Sequence, residues 1–570
     1  EGAPVGIDNF PENVGIFPEA PEDPTFEFPL TWFNEQFVNY VSMDDSPHGA
    51  EVLGKLVESG YVLKFATVDD AVEYLRGKTP VLNKLALITV WKDGALKHRL
   101  ILDCRVSGTN STTRKFERVV LPRIGDLIRD ALRLKAQKGP GQELTWLVID
   151  FVDAFFKVPL AHSEQHYFGA WYDGEVYIWA RVGQGSQDGP TLYGRLAAMT
   201  GRLSQSVVDS TEALIQIYTD DPIVSIMATP TRARRLAAIL IVTWMIIGFD
   251  MSFHKGQMGN KVTWVGYSLT DHKEKIVVEI KEAFMNELRE LTTSLLKHNF
   301  IKLKELRSYT GKANHVANLL FSWRPFLDSL WAASGSNKSR GKGKGKGRHG
   351  YKKLRTRARP GTVWTKQVSS ALKWIRSFLA VHRGSLSREW TLSYYLEAEA
   401  TLKFQLDASP WGIGGVLYDH GFPVSYFYDA ISDHDQRVLG VKAGIHEGQQ
   451  TWECLCLLVA LKAWRRVWLP RKTSIAIRSD NKTALAMASS LKGSGADNII
   501  AREVAMIYAT AAFQPRVVEH LPGITNVAAD ALSRLHEPGA NYNVPESLQH
   551  LSPLPLPVRD EKYYSTLSTS

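Results

Sequence analysis

The chain has 570 residues, of which 44% are hydrophobic, and a formal net charge of +9. This composition excludes a disordered protein and predicts several folded domains with sizeable cores. Its three cysteines, Cys104, Cys454 and Cys456, exclude a disulfide framework and a paired-cysteine zinc site. We therefore expect a reducing, intracellular location, and the absence of a long apolar run predicts no membrane partner.

Two acidic features stand out after an uninformative first stretch, residues 1–60, which we interpret as an N-terminal extension. The segment LTWLVIDFVDAFF predicts a buried strand that ends on Asp150. The segment IQIYTDDPIVSI predicts a β-hairpin with Asp220 and Asp221 at its tip. An adjacent acidic pair is usually a solvated turn, but strand-forming isoleucines surround this one, and burying charge there needs compensation.

These three aspartates would form an oxygen-rich cage if the end of the first strand lies beside the hairpin tip. Such a cage suits hard divalent ions and the two-metal chemistry of phosphoryl transfer. Without metal, the like charges would repel and raise at least one carboxyl pKa.

At this point the chain resembles the reverse transcriptases, whose palm carries the motifs D-x-x-D-A-[FY]-F and Y-x-D-D. Further segments match motifs of that family in the same order: WKDGALKHRLILDCR from Trp91, VVLPRIGDL from Val119, GQGSQDGPTLY from Gly183, IGFDMSFHKG from Ile247 and WVGYSL from Trp264. The departures from the family pattern are Pro222, which removes a strand N–H directly after the acidic pair, and Gly189 in place of the more usual serine.

The resemblance implies a role for each matched residue. The catalytic and metal-binding set would be Asp150, Asp220 and Asp221, with Lys255 near the leaving pyrophosphate. The nucleotide-binding set would be Lys92, Arg99, Asp153, Ala154, Phe155 and Gln184. The template-primer set would be Gly185, Pro190, Trp264 and Gly266. The bulky ring of Phe155 would exclude a ribose 2′-hydroxyl, so the implied substrates are deoxynucleotides.

Beyond the palm, residues 303–333 have apolar residues at helical spacing, interrupted at Gly311, and resemble a thumb or connection region. A basic, glycine-rich segment follows, with eleven Lys and Arg residues from Lys338 to Arg359. Such a segment cannot build a core. It is either a solvated spacer or a tether that binds phosphates.

A second acidic set lies in the last third of the chain. Asp407 lies in a predicted strand followed by a glycine-rich turn, and Glu453 lies in the first turn of an apolar helix. Asp480 ends another predicted strand, His520 opens H-L-P-G, and Asp530 lies near the start of a helix.

This ordered set resembles the RNase H fold. The resemblance implies that Asp407, Glu453, Asp480 and Asp530 bind metal and that His520 is a mobile histidine that assists near the product phosphate. The closing string H-x-P-G-x-x-N-V-x-A-D-A-L-S-R is typical of retrotransposons of the long-terminal-repeat (gypsy-like) or DIRS type.

The expected fold is a multidomain α+β and α/β protein, a right-hand polymerase followed by an RNase H-like domain. The expected boundaries are 1–60 extension, 61–270 fingers and palm, 271–333 thumb or connection, 334–361 basic linker, 362–400 helical connection, 401–540 RNase H domain and 541–570 C-terminal tail. The expected function is RNA- and DNA-directed DNA synthesis with degradation of RNA in hybrids. It would use two Mg²⁺ or Mn²⁺ ions per active site and act on RNA template, DNA primer, RNA–DNA hybrid and dNTPs.

Two alternatives share parts of this pattern. A domesticated protein that packages RNA without catalysis would keep the fold, but it has no use for costly carboxylate clusters beside phosphates. An RNA-dependent RNA polymerase would share the palm, but Phe155 and the RNase H motifs argue against it. The sequence does not predict an oligomeric state.

Overall fold

The computed structural model describes residues 2–9, 15–20, 29–92, 94–335, 361–380, 386–396, 401–469, 475–491, 493, 496–511, 517–539, 541–560 and 563–564. The chain divides into two compact units, Glu1–Val265 and Gly266–Ser570. The basic segment Lys338–Arg359, predicted as a spacer or tether, lies outside the described residues. Within the described ranges, none of the helices combines the length and hydropathy needed to cross a bilayer.

The first unit mixes helices and strands. Its helices are α1 Val41–Asp44, α2 Gly49–Glu58, α3 Val68–Tyr74, α4 Thr109–Thr112, α5 Ile124–Ala136, α6 Gly189–Ser206 and α7 Pro230–Ile247. Its strands are β1 Val62–Phe65, β2 Lys84–Lys92, β3 Ala95–Asp103, β4 Glu143–Val148, β5 Gly169–Tyr172, β6 Glu175–Trp179, β7 Ala213–Tyr218, β8 Asp221–Ala228, β9 Gln257–Gly259 and β10 Lys261–Trp264. Short 3-10 helices span Ala154–Lys157, His162–Phe168 and Phe253–Lys255.

The central sheet of this unit has the strand order β7-β8-β4-β9 and is antiparallel throughout. Strand β8 is buried along almost its whole length, which explains its continuous apolar run. Helices α5, α6 and α7 pack against this sheet. The sheet brings the end of β4 beside the start of β8, which is the arrangement that the acidic residues require.

The N-terminal segment predicted as an extension is part of the core of this unit. Val5 is fully buried, and the carboxylate of Glu164, also fully buried, accepts hydrogen bonds from the backbone N–H groups of Val5, Ile7, Asp8 and Asn9 at 2.6–3.1 Å. These charge-assisted bonds satisfy the buried charge. Residues 2–9 therefore belong to the folded domain. Their contact with Glu164 spans more than 150 positions of the sequence, so no local pattern predicts it.

The second unit begins with helices and short strands and ends in a larger sheet. Its helices are α8 Glu282–Lys297, α9 Leu303–Leu319, α10 Arg324–Gly335, α11 Ser369–Leu379, α12 Leu392–Leu396, α13 Asp433–Leu439, α14 Gln449–Ala463, α15 Arg465–Trp468, α16 Lys482–Ser490, α17 Asp497–Ala511 and α18 Val527–Ser533. Its strands are β11 Tyr267–His272, β12 Lys275–Ile280, β13 Phe300–Lys302, β14 Thr362–Trp364, β15 Ser387–Thr391, β16 Leu402–Ala408, β17 Gly412–Asp419, β18 Phe422–Ala430, β19 Ile475–Ser479 and β20 Val517–His520.

The predicted interruption at Gly311 is wrong. Helix α9 runs through Gly311 without a break, and a Cβ added there would meet no atom within 4 Å. A single exposed glycine costs a helix only about 1 kcal/mol, which the buried face of α9 offsets. The helix ends instead at Leu319, before α10 begins at Arg324.

The five-stranded sheet of this unit has the order β18-β17-β16-β19-β20. Strands β16, β17 and β18 form an antiparallel meander, whereas β19 pairs parallel with both β16 and β20. Helix α14, whose residues from Thr451 to Leu461 are all buried, packs on β16 and β17. This is the RNase H-like topology, and with the polymerase-type palm of the first unit it confirms the expected α+β multidomain fold class.

The C-terminal segment, predicted as a tail, packs against this domain. Leu548 is fully buried in a cluster with Val416 and Tyr426, and the backbone N–H of Leu554 donates to the carbonyl of Tyr426 at 2.8 Å. Farther along, Arg559 is almost fully buried. The described residues after position 540 thus extend the core of the RNase H-like domain.

Candidate active sites

The acidic hairpin has the predicted form. Strands β7 and β8 are joined by a two-residue turn, Thr219 and Asp220, with Thr219 in the left-handed region at φ +55°. Asp221 is the first residue of β8. Pro222 pairs with Ile217 in register, so the missing N–H of this proline leaves the hairpin intact at the start of the strand.

The end of β4 brings Asp150 to this hairpin. The next residue, Phe151, donates its backbone N–H to the carbonyl of Asp220 at 2.9 Å. The carboxyl group of Asp150 lies close enough to that of Asp221 to raise the pKa of Asp221. Lys255 lies on the other side, with Nζ 3.1 Å from Oδ2 of Asp150. The structure therefore brings together all four residues predicted to be catalytic in the palm.

The crowding of these acids changes how they titrate. Burial, followed by the charge of Asp220 and the contact with Asp150, raises the pKa of Asp221 to about 7. The pKa of Asp220 is also raised, chiefly by burial, while the charges of Arg99 and Lys255 act in the opposite direction. Carboxylates forced together in a half-buried position are stabilised by a divalent cation, so the donor set fits Mg²⁺ or Mn²⁺.

The residues predicted to bind nucleotide differ in how exposed their side chains are. Arg99 is exposed on β3, close enough to lower the pKa of Asp220, whereas the side chain of Lys92 lies outside the described part of the structure. Asp153 is exposed at φ +52°, and Ala154 is buried. The half-buried ring of Phe155 stacks on Tyr193 with centroids 5.1 Å apart, a support that the motif did not reveal.

The glycine predicted to approach the template approaches another strand. A Cβ on Gly185 would lie 2.0 Å from the carbonyl oxygen of Leu102, and φ is +122°. The carbonyl of Gln184 accepts from the backbone N–H of Leu102 at 3.1 Å. Packing on β3 thus already requires a glycine at position 185. Pro190 is exposed in the first turn of α6, where its missing N–H costs nothing.

The side chain of Trp264 is buried beneath the acidic hairpin. The indole is only 2% exposed, and its N–H donates to the carbonyl of Asp221 at 2.9 Å. In this position the indole supports the acidic hairpin, and the expected contact of Trp264 with a primer stays a prediction. Gly266 has φ +81°, and a Cβ there would lie 3.1 Å from Nε2 of His315, so this glycine is required by the turn itself.

The second acidic set converges more tightly. Carboxylate oxygens of Asp407, Glu453 and Asp480 lie within 4.8 Å of one another, and within the described residues this trio is the group with metal-binding spacing. Asp407 is on β16, Glu453 is on α14, and Asp480 directly follows β19. Because β16 and β19 are parallel neighbours, their adjacent ends bring the two aspartates together.

The fourth predicted ligand has another partner. Asp530 lies on α18 and forms an ion pair with Arg534, Nε to Oδ1, at 2.8 Å. Its charge still acts on Asp407 and Asp480, so it lies beside the trio. His520 is exposed at the end of β20, with Nε2 3.0 Å from the carbonyl oxygen of Asp480.

These acids also fit a divalent cation. Burial is the main cause that raises the pKa of Asp407 to about 7, and burial followed by the charges of its two neighbours raises the pKa of Glu453 well above its ordinary value. Oε2 of Glu453 is buried without a hydrogen-bond partner among the described residues. A cation would satisfy this oxygen and offset the repulsion. Sequence reasoning missed Gln449, which hydrogen-bonds Oε1 of Glu453 from one helical turn away.

Comparison with known proteins points to retroviral polyproteins. The chain is 30% identical over 139 residues to the Gag-Pol polyprotein of avian reticuloendotheliosis virus, and 32% identical over 139 residues to the Pol polyprotein of feline endogenous virus ECE1. Each match covers 23% of this chain but only 12% and 13% of those polyproteins. These relatives give no support to the gypsy-like or DIRS-type lineage. No protein-family profile matches the chain.

Among solved structures, the dRH form of the foamy viral protease–reverse transcriptase in complex with double-stranded DNA aligns over 90% of this chain and 74% of that chain, with a TM-score of 0.43 and 18% identity. The same viral protein in complex with an RNA/DNA hybrid aligns over 97% of this chain and 60% of that chain, with a TM-score of 0.42 and 17% identity.

Proposed function

We propose that the chain is a reverse transcriptase with RNase H activity that serves retroelement replication. One observation carries the proposal: each of the two folded units holds its own group of convergent, half-buried or buried carboxylates, one on a polymerase-type palm hairpin and one on an RNase H-type sheet. Both groups suit phosphoryl transfer, and the partial similarity to Gag-Pol and Pol polyproteins agrees with this pairing.

In the palm, Asp150, Asp220 and Asp221 would hold two Mg²⁺ or Mn²⁺ ions. When bound, such ions orient the attacking and leaving oxygens and neutralise the charge that develops on phosphate. Arg99 and Lys255 bring positive charge to the same place, as the triphosphate of a dNTP requires. The expected substrates are dNTPs on a DNA primer, with RNA and then DNA as template.

In the RNase H-like domain, Asp407, Glu453, Asp480 and Asp530 would hold a second pair of ions. Asp530 would have to exchange its ion pair with Arg534 for a metal ligand role. His520, exposed beside Asp480, has the freedom to assist departure of the cleaved phosphate. The expected substrate is the RNA strand of an RNA–DNA hybrid.

The test uses the full chain with two substitutions that keep side-chain shape but remove one negative ligand. Asp220→Asn should reduce primer extension on an RNA template by several orders of magnitude and leave cleavage of a preformed hybrid unchanged. Asp480→Asn should do the reverse. Asp45→Asn and Asp433→Asn, which change exposed aspartates in the same units, are the matched controls and should leave both activities intact.

Three outcomes would contradict the proposal. Near-normal extension by Asp220→Asn, or loss of both activities in one variant that still folds, would overturn the assignment of separate sites. A wild-type chain that binds hybrid but neither extends nor cleaves in Mg²⁺ or Mn²⁺ would favour the non-catalytic binding protein instead. Supplying dNTPs or rNTPs separately in the extension assay tests the expected sugar preference.

A further inference from the structure

Helix α18 lies unusually close to strand β17. A Cβ added to Gly414 would lie 2.6 Å from the backbone nitrogen of Ser533, and one added to Gly412 would lie 2.8 Å from the carbonyl oxygen of the same serine. Real Cβ atoms do not approach backbone this closely, so β17 needs glycine at both positions. The glycines of this strand therefore set how deeply the C-terminal end of α18 reaches into the domain.

That close approach places a hydroxyl on the acidic group. Oγ of Ser533 lies 2.7 Å from Oδ2 of Asp407, and both side chains are buried. The same Oγ is 2.9 Å from the carbonyl oxygen of Asp530, but a hydroxyl has one proton, and a carboxylate is the stronger acceptor. Ser409 also contacts this end of the helix, because its hydroxyl donates to the carbonyl of Ser533 at 2.7 Å.

The other oxygen of Asp407 faces a second buried donor. Nδ2 of Asn526 donates to the carbonyl of Leu406 at 3.0 Å and lies 3.4 Å from Oδ1 of Asp407. Asn526 is fully buried, so its amide cannot turn to solvent. The two donors bracket the carboxylate and leave it little freedom to rotate about χ2.

We propose that Ser533 is a positioning residue of the RNase H-like site: its hydroxyl fixes the Asp407 carboxylate in the orientation that converges with Glu453 and Asp480 on a divalent cation. This inference rests on the proposed RNase H function. Hydrogen-bond partners that orient metal-binding side chains typically change metal affinity by about 10- to 100-fold when removed. Without the hydroxyl, the Asp407 carboxylate rotates more freely, and part of the binding energy of the cation is lost in reordering it.

The test measures Mn²⁺ binding directly, with Mn²⁺ alone as the probe. It uses the full chain carrying Asp220→Asn and Asp221→Asn, so that the palm contributes little, and reads bound Mn²⁺ by electron paramagnetic resonance. Ser533→Ala should weaken Mn²⁺ binding about 10- to 100-fold. In the chain with an intact palm, Ser533→Ala should raise the Mn²⁺ concentration for half-maximal hybrid cleavage by the same factor and leave primer extension unchanged.

Ser409→Ala is the matched control, because it removes a buried hydroxyl from the same helix contact but leaves the Ser533–Asp407 hydrogen bond. It should lower the melting temperature and keep Mn²⁺ affinity within about twofold of the starting chain. Ser533→Cys keeps a similar volume and offers only a weak donor, so its Mn²⁺ affinity should fall between that of the starting chain and that of Ser533→Ala. This variant also keeps the test decisive if alanine does not fold.

The outcomes separate this inference from the proposed function. Unchanged Mn²⁺ affinity in Ser533→Ala, with a loss of melting temperature like that of Ser409→Ala, would overturn the positioning role. Weaker Mn²⁺ binding in Ser533→Ala by a protein that never cleaves hybrid would support the positioning role and refute RNase H activity. If Asp480→Asn leaves the Mn²⁺ titration unchanged, the trio is not a metal site and both ideas fail.

Discussion

The indole N–H of Trp264, the last residue of β10, donates to the main-chain carbonyl of Asp221 at 2.9 Å. The ring is buried and meets Tyr218 edge-on, so it supports the tip of the acidic hairpin through a contact outside the β7–β8 pairing. Trp264, expected from the sequence to contact a primer, thus acts on the position of Asp221.

Trp264→Phe tests this support. The variant keeps an aromatic ring but leaves the Asp221 carbonyl without its donor, at a cost of about 1 kcal/mol in the free energy of unfolding. Primer extension should fall several-fold, because Asp221 is less well held, while hybrid cleavage should not change. Thermal unfolding and the two activity assays are the measurements.

Trp32→Phe is the control, since Trp32 is 48% exposed in the same unit. Equal loss of extension in both variants would show that the effect is not specific to the hairpin.

The Phe155–Tyr193 stack predicts that both rings contribute to discrimination between dNTPs and rNTPs. Phe155→Val should raise incorporation of rNTPs relative to dNTPs, because a smaller side chain leaves room for a 2′-hydroxyl. Tyr193→Leu should have a weaker effect in the same direction, since it removes the ring that stacks on Phe155. The measurement is the ratio of incorporation efficiencies.

Tyr193→Phe is the matched control. The Tyr193 hydroxyl is buried without a hydrogen-bond partner among the described residues, so its removal should leave the ratio and the stability unchanged or slightly improve the latter. An unchanged ratio in Phe155→Val would mean that another residue selects the sugar.

The acidic groups predict an unusual dependence of stability on pH. Burial, ahead of other causes, raises the pKa values of Asp221 and Asp407 to about 7, so the folded state holds protons that the unfolded state has already released. The unfolded state therefore binds fewer protons between about pH 4 and 7, and these groups lower stability as pH rises through that window. Thermal unfolding in a chelator should show this decline.

Added Mg²⁺ or Mn²⁺ should reverse the decline, because the cation takes the place of the protons. The gain in melting temperature should be small near pH 5 and largest above pH 7. Asp221→Asn and Asp407→Asn should each flatten the profile in chelator. A profile in chelator that is the same in wild type and both variants would contradict the assignment of these pKa values.

We expect the RNase H-like domain to need residues beyond position 540 for its stability. Arg559 donates to buried Asp435 at 2.8 Å and to Asp429 at 2.6 Å, and the hydroxyl of Tyr564 donates to the other Asp435 oxygen at 2.6 Å. Arg559→Met leaves Asp435 buried and short of a partner, which should destabilise the RNase H-like domain by about 3–5 kcal/mol. Denaturant unfolding and hybrid cleavage at elevated temperature are the measurements.

The double variant Arg559→Met with Asp435→Asn should recover part of that loss, because no unpaired charge remains buried. A chain that ends at residue 540 should behave like Arg559→Met or worse. If Arg559→Met or the chain that ends at residue 540 were as stable as wild type, the C-terminal segment would contact the domain without stabilising it.

Sequence patterns alone predicted which acids lie on which helices and strands. Asp150 and Asp480 each follow an apolar strand, as local periodicity predicted. Glu453 lies on the predicted apolar helix, but the prediction of its first turn is wrong: α14 begins at Gln449, so Glu453 lies in the second turn. The order of the motifs then predicted the two fold types. These signals are local, since each depends on residues within one or two turns of the chain.

The partner of each side chain became visible only in the folded protein. Gly185 is glycine because β3 lies against it, Trp264 turns inward to the Asp221 carbonyl, and Asp530 pairs with Arg534 beside the trio. The terminal segments belong to the cores because Glu164 and Asp435 bind them across more than a hundred positions. Such contacts depend on close packing between elements distant in sequence, and the periodicity of a strand or helix carries no information about them.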